Sequence, residues 1–386
     1  MMKVIHLISG GDTGGAKTHV ITLLKELKNH MDVMLVCMME GDFTRAAREA
    51  GIPLTVVIQK KRYNLSIVKN LEKIVREGKY DLLHCHGARA NFIAVFLKAF
   101  IDIPIVTTIH SDYRLDFTES LYKKWIYTNI NSVALRRIPY QIAVTEDFKQ
   151  LLEKRHFNPE QIFVTYNGID MNSHLKVQDP SSFLKKYDLS YKEDEVYIGS
   201  AVRLHPIKGI EILLKAAQKV IRKYPFIHFL IAGEGETRSE YEKIIHQHKL
   251  ESHVHLLGHV DDMVSFYNAI DIHVLSSYSE GFPYVLLECA RQKKATISSK
   301  VGGIPEMIQH NHSGLLFPVG DVDCLAEYIE ELALDPQKRK VLGETFYQEV
   351  KERFSAEQMV KQHIHIYEQI QKKNKKKSKG KKGVNQ

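Results

Sequence analysis

Short apolar runs typical of buried strands alternate along the chain with longer segments whose apolar residues recur at helical spacing. In the first half, each predicted strand is followed by a predicted helix or a short turn. The predicted strands are Val4–Ser9, Val33–Met38, Leu54–Ile58, Leu82–Cys85, Ile105–Ile109, Tyr140–Val144 and Ile162–Tyr166. Because strands joined through helices run parallel, this half should form a doubly wound α/β sheet.

The alternation stops at residues 167–195 and then restarts. The break contains turns and a charged segment, and the strands predicted after it are Val196–Ala201, Phe226–Ala232, Val254–Leu257, Asp271–Ser276 and Ala295–Ser298. We therefore predict two doubly wound domains, residues 1–180 and residues 195–354. Ligands of such sheets bind beyond the carboxyl ends of the strands, so we expect the two sheets to face each other across a ligand-binding cleft.

The formal net charge of +8 is concentrated at the C-terminal end of the chain. Residues 372–386 contain eight lysines and no acidic residue, and without them the 54 basic residues fall to 46, the number of acidic residues. A segment of this composition cannot bury a core, so we predict a disordered tail. It is either a solubilising segment or one attracted to an anionic membrane leaflet. Nucleic acid is disfavoured because no aromatic residue interleaves the lysines.

Cysteine usage and hydropathy predict a cytoplasmic protein. The four cysteines lie far apart without a CxxC pair, which indicates neither a disulfide framework nor a zinc ribbon. The chain starts with an apolar strand rather than with the charged and apolar regions of a signal peptide. The most apolar stretch, residues 92–106, is interrupted by Lys98 and Asp102 and is too short for a membrane span.

The clearest chemical signal is a short segment between a strand and a helix. It consists of Glu280, Gly281, Phe282 and Pro283, and Glu288 follows on the helix. We predict that Pro283 occupies the first helical position, where the N–H groups and the dipole of a helix attract an anion. Two carboxylates on either side of an anion site suit a ligand with hydroxyl groups at both ends and phosphate in the middle, such as a nucleotide sugar.

Arg203 and Lys208 follow the first strand of the second half. An arginine and a lysine five residues apart can both reach one diphosphate, although two solvated surface charges are the alternative. Beside Glu280 and Glu288 we favour phosphate binding.

Two glycine pairs also follow predicted strands. Gly14 and Gly15 offer backbone N–H groups to a diphosphate, or form a plain tight turn. Ala16 replaces the second glycine of a P-loop, which disfavours a nucleoside triphosphatase. Gly233 and Gly235 would let a base or ribose approach the backbone, although glycines at strand ends are commonly only turns.

The histidines do not predict a metal site. His84 and His86 share a face at a strand end, but no third ligand is evident nearby in the sequence. His110 also ends a strand and should point into the predicted cleft, although a lone histidine is more often structural. We therefore expect neither a metal nor another cofactor.

Together these motifs resemble those of the retaining, nucleotide-sugar-dependent glycosyltransferases of group 1, or family 4, which have the GT-B fold of two Rossmann-like domains. The resemblance covers nearly the whole folded body. Its most specific parts are the E-x7-E pattern of Glu280 and Glu288, the Arg203, Lys208 and Gly209 motif, and the Gly-Gly-Ile-Pro-Glu motif that ends at Glu306. The chain departs from the family at Val202, where a glycine is common, and in the segment 291–295 after the second glutamate.

The resemblance implies roles for the second-domain residues. Glu288 would hold the ribose hydroxyls, and Glu280 with the N–H groups of residues 281–283 would hold the donor sugar and phosphates. Arg203 and Lys208 would neutralise the departing diphosphate.

The resemblance also implies roles for the first domain. His110 would line the site beside the transferred sugar, and Gly14 and Gly15 would approach the diphosphate. A last helix, residues 355–371, would cross back onto the first domain.

The expected activity is transfer of a hexose-type sugar from a nucleoside diphosphate donor, most often UDP-linked, with retention, to a glycan or a lipid-linked acceptor. Two alternatives remain, a nucleotide-sugar epimerase on the same two-domain fold and a catalytically silent binding protein. The segment 121–138 is either a core-packing helix or, with Trp125 among cations, a helix that lies in a membrane interface. The second interpretation predicts peripheral association with an anionic inner leaflet.

Overall fold

The computed structural model describes residues 2–11, 14–61, 64–112, 121–172 and 176–383. These residues form two compact units. The first comprises Met1–Asp170 with Ala356–Gln386, and the second comprises Met171–Ser355.

The first unit contains a parallel sheet of seven strands in the order β3-β2-β1-β4-β5-β6-β7. Its strands are β1 (Lys3–Ile8), β2 (Asp32–Cys37), β3 (Leu54–Val56), β4 (Leu82–His86), β5 (Ile105–Ile109), β6 (Tyr140–Ala143) and β7 (Ile162–Val164). Its helices are α1 (Gly14–Leu27), α2 (Asp42–Glu49), α3 (Ile67–Gly78), α4 (Gly87–Leu97), α5 (Leu121–Arg137) and α6 (Glu146–Lys154), with a terminal helix given below. Separate apolar clusters, one around α1 and one around α3 and α4, pack against this sheet.

The second unit contains a parallel sheet of six strands in the order β10-β9-β8-β11-β12-β13. Its strands are β8 (Val196–Ala201), β9 (Ile227–Ala232), β10 (Val254–Gly258), β11 (Ile272–Leu275), β12 (Ala295–Ser299) and β13 (Leu315–Phe317). Its helices are α7 (Pro180–Lys185), α8 (Ile210–Lys223), α9 (Arg238–Gln247), α10 (Met263–Ala269), α11 (Tyr284–Arg291), α12 (Ile304–Met307), α13 (Val322–Leu334) and α14 (Pro336–Arg353). The remaining helix, α15 (Ala356–Gly383), belongs to the first unit.

The predicted fold class is confirmed, since both sheets are parallel and doubly wound. The order 3-2-1-4-5-6 occurs in each sheet and places the first and fourth strands side by side. In both units the central strands are buried along almost their whole length, as expected for parallel strands covered on both faces.

The domain boundary differs from the predicted one. Residues 176–180 belong to the second unit, because α7 packs there: the Phe183 and Phe266 rings lie 6.4 Å apart, and the Gln178 N–H donates to the Ser265 hydroxyl. The short helix α7 lies within the charged break that the sequence pattern left unassigned.

Residues 372–383, part of the segment for which the composition predicts disorder, continue α15 as helix. Lysine has a good helix propensity, and α15 already has an apolar face that docks beside α1 in the first unit, so the chain continues in the same conformation. Residues 384–386 lie outside the described residues. Among the described residues, none of the helices combines the length and hydropathy that a bilayer span requires.

His273 lies in the core of the second unit on the central strand β11. Neither of its ring nitrogens has a hydrogen-bond partner among the described residues, and burial lowers the pKa of His273 to about 3. The unfolded chain, with a histidine pKa of about 6.5, takes up a proton as the pH falls while the folded protein does not. Each pH unit below 6.5 therefore lowers the free energy of unfolding by about 1.4 kcal/mol through this residue.

We expect His273→Leu to remove the loss of unfolding free energy that His273 causes as the pH falls below 6.5. Between pH 7 and pH 5, the free energy of unfolding of the variant relative to the parent protein should shift by about 2 kcal/mol in favour of the variant. Equilibrium urea unfolding at the two pH values measures this shift. The control is Thr296→Val on the adjacent strand, where the residue pairs with His273 but does not titrate. If the difference in free energy of unfolding between His273→Leu and the parent protein were the same at both pH values, His273 would not be a buried histidine that stays neutral in the folded protein.

Candidate functional site

The predicted phosphate-binding loops of the second unit lie at the point where its strand order reverses. One loop, residues 202–209, follows β8, and the other, residues 276–283, follows β11. Because β8 and β11 are neighbours in a parallel sheet, both loops emerge at the same edge. This is the position at which doubly wound sheets bind ligands.

Backbone contacts fix the two loops to each other. The Tyr278 N–H donates to the Ile207 carbonyl at 2.8 Å, and the Ser276 hydroxyl donates to the Gly209 carbonyl at 2.8 Å. Gly209 has a φ of +60°, and a Cβ there would lie 2.3 Å from the Ser276 carbonyl oxygen. A glycine is therefore required for this close approach.

Lys208 and Glu280 form an ion pair between the two loops. The Lys208 Nζ lies 2.6 Å from the Glu280 Oε1, and the Ser277 hydroxyl donates to the same oxygen at 2.6 Å. The Glu280 side chain is only 8% exposed, so it depends on these two donors. Arg203, in contrast, is exposed and makes no hydrogen bond or ion pair with the described residues. The site thus contains one neutralised cation and one available cation.

The helix after this segment begins one residue later than predicted. Pro283 is the N-cap of α11, with φ −73° and ψ 125°, and Tyr284 is the first helical residue. Since proline has no N–H, Pro283 cannot donate to a phosphate as the predicted set of 281–283 required. The Phe282 side chain is buried and packs edge-on against Phe354 at 5.1 Å, so it anchors the loop. Without the N–H of Pro283, the N-terminus of α11 supplies the donors at this turn.

The segment after β12 supports this loop from behind. The Gly303 N–H donates to the Gly281 carbonyl at 3.0 Å. At Gly302, φ is +53°, and an added Cβ would lie 1.8 Å from the Glu280 carbonyl oxygen. Backbone therefore touches backbone here, and the glycine pair holds Glu280 in place.

For the nucleotide sugar that the sequence predicts as the ligand, we expect Gly302→Ala to displace Glu280 and to lower the affinity at least tenfold, with a loss of about 1–2 kcal/mol in the free energy of unfolding. Gly320→Ala is a matched control because Gly320 also has a positive φ, +82°, but a Cβ there meets nothing within 4 Å. Isothermal titration with UDP-sugars and thermal unfolding measure the two effects. Equal affinities for both variants would show that Gly302 is needed only for its positive φ and does not position Glu280.

Glu288 lies on α11, near Tyr267 and Arg291. Burial raises the pKa of its carboxyl group above the usual range, with nearby Arg291 opposing this. The Tyr267 hydroxyl donates to the Glu288 Oε2 at 3.2 Å and is its one hydrogen-bond donor among the described residues. A carboxylate accepts about four hydrogen bonds, so Glu288 can bind a pair of vicinal hydroxyl groups.

Gly233 and Gly235 have a packing role. A Cβ at Gly233 would lie 1.8 Å from the Val202 carbonyl oxygen, and one at Gly235 would lie 2.0 Å from the Leu204 carbonyl oxygen. The two glycines therefore let the loop after β9 lie directly against the backbone that carries Arg203. Their contact with a base or ribose stays a prediction.

In the first unit, α1 begins at Gly14, which has a φ of +61°. Gly14 and Gly15 are exposed, and a Cβ at Gly14 would meet nothing within 4 Å. The glycine is thus required by the backbone conformation rather than by a close contact. Residues 12 and 13 of this loop lie outside the described residues.

His110 follows β5 and packs edge-on against His19, with ring centroids 4.6 Å apart. Burial lowers the pKa of His110 to about 4, so its ring is neutral near pH 7. The sequence predicts a lone histidine at position 110, but the fold brings His110 into a group of buried histidines. Those residues are separated along the chain, and their meeting depends on strand order and register.

Two family models match successive parts of the chain. The model described as Glycosyltransferase Family 4 matches residues 13–173, and the model described as Glycosyl transferases group 1 matches residues 184–349. The first match lies in the unit with Gly14 and His110, and the second contains Arg203, Lys208, Glu280 and Glu288.

Individual proteins agree with these matches. The chain is 27% identical to an N-acetyl-alpha-D-glucosaminyl L-malate synthase of Bacillus anthracis, over 81% of this chain and 80% of the relative. It is 24% identical to a phosphatidylinositol N-acetylglucosaminyltransferase subunit of Saccharomyces cerevisiae, over 76% and 67% of the two chains. The crystal structure of the Anabaena protein HepE in complex with UDP-glucose shares the fold, with a TM-score of 0.81, 23% identity, and coverage of 95% and 99%. The chain therefore belongs to the group 1 glycosyltransferases.

Proposed function

We propose that this glycosyltransferase moves a hexose-type sugar from a UDP-sugar to a glycan or lipid-linked acceptor, with retention at the anomeric carbon. The observation that carries the proposal is the Lys208–Glu280 ion pair at the strand-order reversal of the second unit, where Arg203 lies in the same loop as Lys208 and Glu288 lies on the helix that starts there. Cations, the N-terminus of a helix and a carboxylate that can accept from ribose hydroxyls correspond to the parts of a nucleotide sugar.

Charge stabilisation is the main catalytic contribution in this proposal. Cleavage of the sugar–phosphate bond develops negative charge on the departing diphosphate, and fixed cations that face this charge lower the barrier. Arg203 is available for this role, whereas Lys208 is held by Glu280 and shares its proton donors between that carboxylate and a phosphate. With two such cations, the transfer needs no metal ion on the leaving group. A phosphate oxygen then helps to deprotonate the attacking acceptor hydroxyl on the same face.

The relatives guide the choice of donor. The Bacillus anthracis relative is named for an N-acetyl-alpha-D-glucosaminyl product, and HepE was crystallised with UDP-glucose. UDP-N-acetylglucosamine and UDP-glucose are therefore the first donors to test. Common UDP-hexoses carry an alpha-linked sugar, so an alpha-linked product would correspond to retention.

The proposal is tested by incubating the full-length protein with each UDP-sugar and measuring free UDP with and without acceptors. Acceptor-dependent UDP release, with an alpha-linked product by NMR, is the expected result. Release of UDP together with a C2-inverted sugar, without any acceptor, would indicate an epimerase. Binding without turnover across donors and acceptors would indicate a silent binding protein.

An exposed apolar groove in the first unit supports association with a membrane. It lies between α4 and α5, has a volume of about 300 Å³, and is lined by Phe92, Val95, Phe96, Ile130, Val133 and Arg137. Phe96, Val133 and nearby Phe100 are each more than one-third exposed. Arg137, at the end of α5, lines the groove, and apolar side chains next to a cation suit an anionic lipid interface. The side chains of residues 121–127, with Trp125, lie outside the described ones.

We expect sedimentation with vesicles of phosphatidylcholine and phosphatidylglycerol, weakened by salt, but little with phosphatidylcholine alone. Phe96→Ser with Phe100→Ser, and deletion of residues 372–386, should each weaken binding. Leu334→Ser in the second unit is a matched control, because Leu334 is also an exposed apolar residue, at 56%. Equal sedimentation with neutral and anionic vesicles would contradict a leaflet-specific surface.

A further inference from the structure

Six histidines meet at one edge of the sheet in the first unit. They come from β1, α1, β4, the end of β5 and α15, and they are His6, His19, His84, His86, His110 and His363. Five of them are fully buried, and His110 is partly exposed. The His84 and His86 rings are 4.2 Å apart, and the His19 and His110 rings are 4.6 Å apart. Such a group of neutral imidazoles in a protein interior calls for hydrogen-bond partners or a bound ion.

The protein supplies too few hydrogen-bond partners for these rings. Among the described residues, nitrogens that lack any partner are the Nε2 atoms of His6, His19, His110 and His363 and the Nδ1 atom of His86. His84 is the exception, because its Nδ1 pairs with the Tyr367 hydroxyl and its Nε2 with the Thr108 hydroxyl, both at 2.7 Å. Each unpaired buried nitrogen costs free energy, which a metal ion would recover.

We propose that His19, His86 and His110 bind one divalent transition-metal ion of the zinc class. One ring nitrogen from each of the three lies within 4.8 Å of the others. Three neutral imidazoles with a fourth position left for water form a known zinc arrangement. A donor set of nitrogens alone favours zinc, cobalt, nickel or copper over magnesium and calcium, which bind oxygen.

The hydrogen bonds around the three rings orient them for this role. The Asn167 Oδ1 lies 2.9 Å from the His19 Nδ1, and this oxygen can only accept, so the His19 Nδ1 carries the proton and the Nε2 presents its lone pair. The His86 Nε2 lies 3.0 Å from the His6 Nδ1, which leaves the His86 Nδ1 available. Metal-bound histidines commonly use their second nitrogen in this way.

A second group of three, His6, His84 and His86, also has nitrogens within 4.8 Å of one another. It is the weaker candidate for two reasons. Both nitrogens of His84 are already hydrogen bonded, and all three residues are fully buried. The first group includes His110, which is partly exposed and so brings that group closer to solvent.

The test uses the full-length protein after treatment with a chelator and dialysis. Titration with Co²⁺ should give one equivalent bound per chain and the intense visible absorption of a four-coordinate site, and one equivalent of Zn²⁺ should abolish that absorption. Zn²⁺ should also raise the melting temperature in a concentration-dependent manner. No stoichiometric binding, or only the weak absorption of six-coordinate Co²⁺, would overturn the proposal.

Variants identify the ligands. His19→Gln, His86→Gln and His110→Gln should each lower the Co²⁺ affinity at least 100-fold, and Asn167→Ala about tenfold through the orientation of His19. His228→Gln, a histidine of the second unit, should bind Co²⁺ like the parent protein. If His86→Gln fails to fold, the Co²⁺ affinity of His110→Gln provides the test, because His110 is partly exposed. Circular dichroism confirms that this variant is folded. Unchanged affinity in folded His19→Gln and His110→Gln would overturn the assignment. None of these outcomes depends on donor binding in the second unit.

Discussion

Arg203→Ala should lower kcat about 100-fold or more while leaving the melting temperature unchanged. In the proposed function the activity falls because the exposed guanidinium is the cation available to the departing diphosphate, and removal of one such group commonly costs about 2.7–4 kcal/mol of transition-state stabilisation. Stability is preserved because the Arg203 side chain makes no hydrogen bond or ion pair with the described residues.

Lys208→Ala should lower kcat to a similar extent but should also destabilise the fold. Its removal leaves the nearly buried Glu280 with the Ser277 hydroxyl as its remaining donor, at a cost of roughly 1–3 kcal/mol. The contrast between the two variants separates a group that acts only on the ligand from one that also supports the loop.

Steady-state kinetics and thermal unfolding of both variants measure these effects. Arg222→Ala is the matched control, because Arg222 is an exposed arginine near the C-terminus of α8, at the end remote from Arg203. Near-normal kcat in both Arg203→Ala and Lys208→Ala would remove the proposed stabilisation of the leaving group.

The sequence predicts the strands of this fold where they are long and mostly apolar. Ile105–Ile109 was predicted with the observed bounds, and the other predicted strands of the first sheet end within two residues of the observed ones. β13 was not predicted, because three residues are too few to show a period. The helical continuation of α15 was missed for another reason. Composition predicts whether a segment can bury a core, but a helix that is already docked can extend into a segment that buries nothing.

The candidate site could also be predicted from the sequence only in part. The Glu280 to Glu288 segment was predictable because its parts are contiguous, and a strand, a turn and a helix fix their positions locally. The histidine group was not, because His6 and His84 meet only through the pairing of β1 with β4 in one register. The packing role of Gly233 against the Val202 carbonyl was equally hidden, since it depends on two loops that are distant in sequence.

Glu288→Gln should weaken nucleotide binding and stabilise the folded protein. In the proposed function the carboxylate accepts hydrogen bonds from the ribose hydroxyls, and an amide leaves one of them poorly paired, which costs roughly 1–3 kcal/mol. UDP alone should show the loss as clearly as a UDP-sugar, because the ribose belongs to both ligands.

The gain in stability follows from the raised pKa of Glu288, which burial produces. Between the unfolded pKa and this higher folded pKa, the unfolded chain loses its proton first, so stability falls as the pH rises. Near pH 7 the parent protein therefore bears the cost of a buried charge that the amide avoids, and the variant should melt a few degrees higher. Its advantage should shrink toward pH 4.

Titration calorimetry with UDP and UDP-sugars, together with thermal unfolding at pH 7 and pH 4, tests both effects of Glu288→Gln. Glu327→Gln, an exposed glutamate on α13, is the control and should change neither quantity. If only the intact sugar donor bound more weakly, the roles proposed for Glu280 and Glu288 would have to be exchanged. A variant that melts lower than the parent protein would show that Glu288 is stabilised as an anion even without a ligand. Its hydrogen bond with Tyr267 would then be a stronger interaction than the 3.2 Å distance indicates.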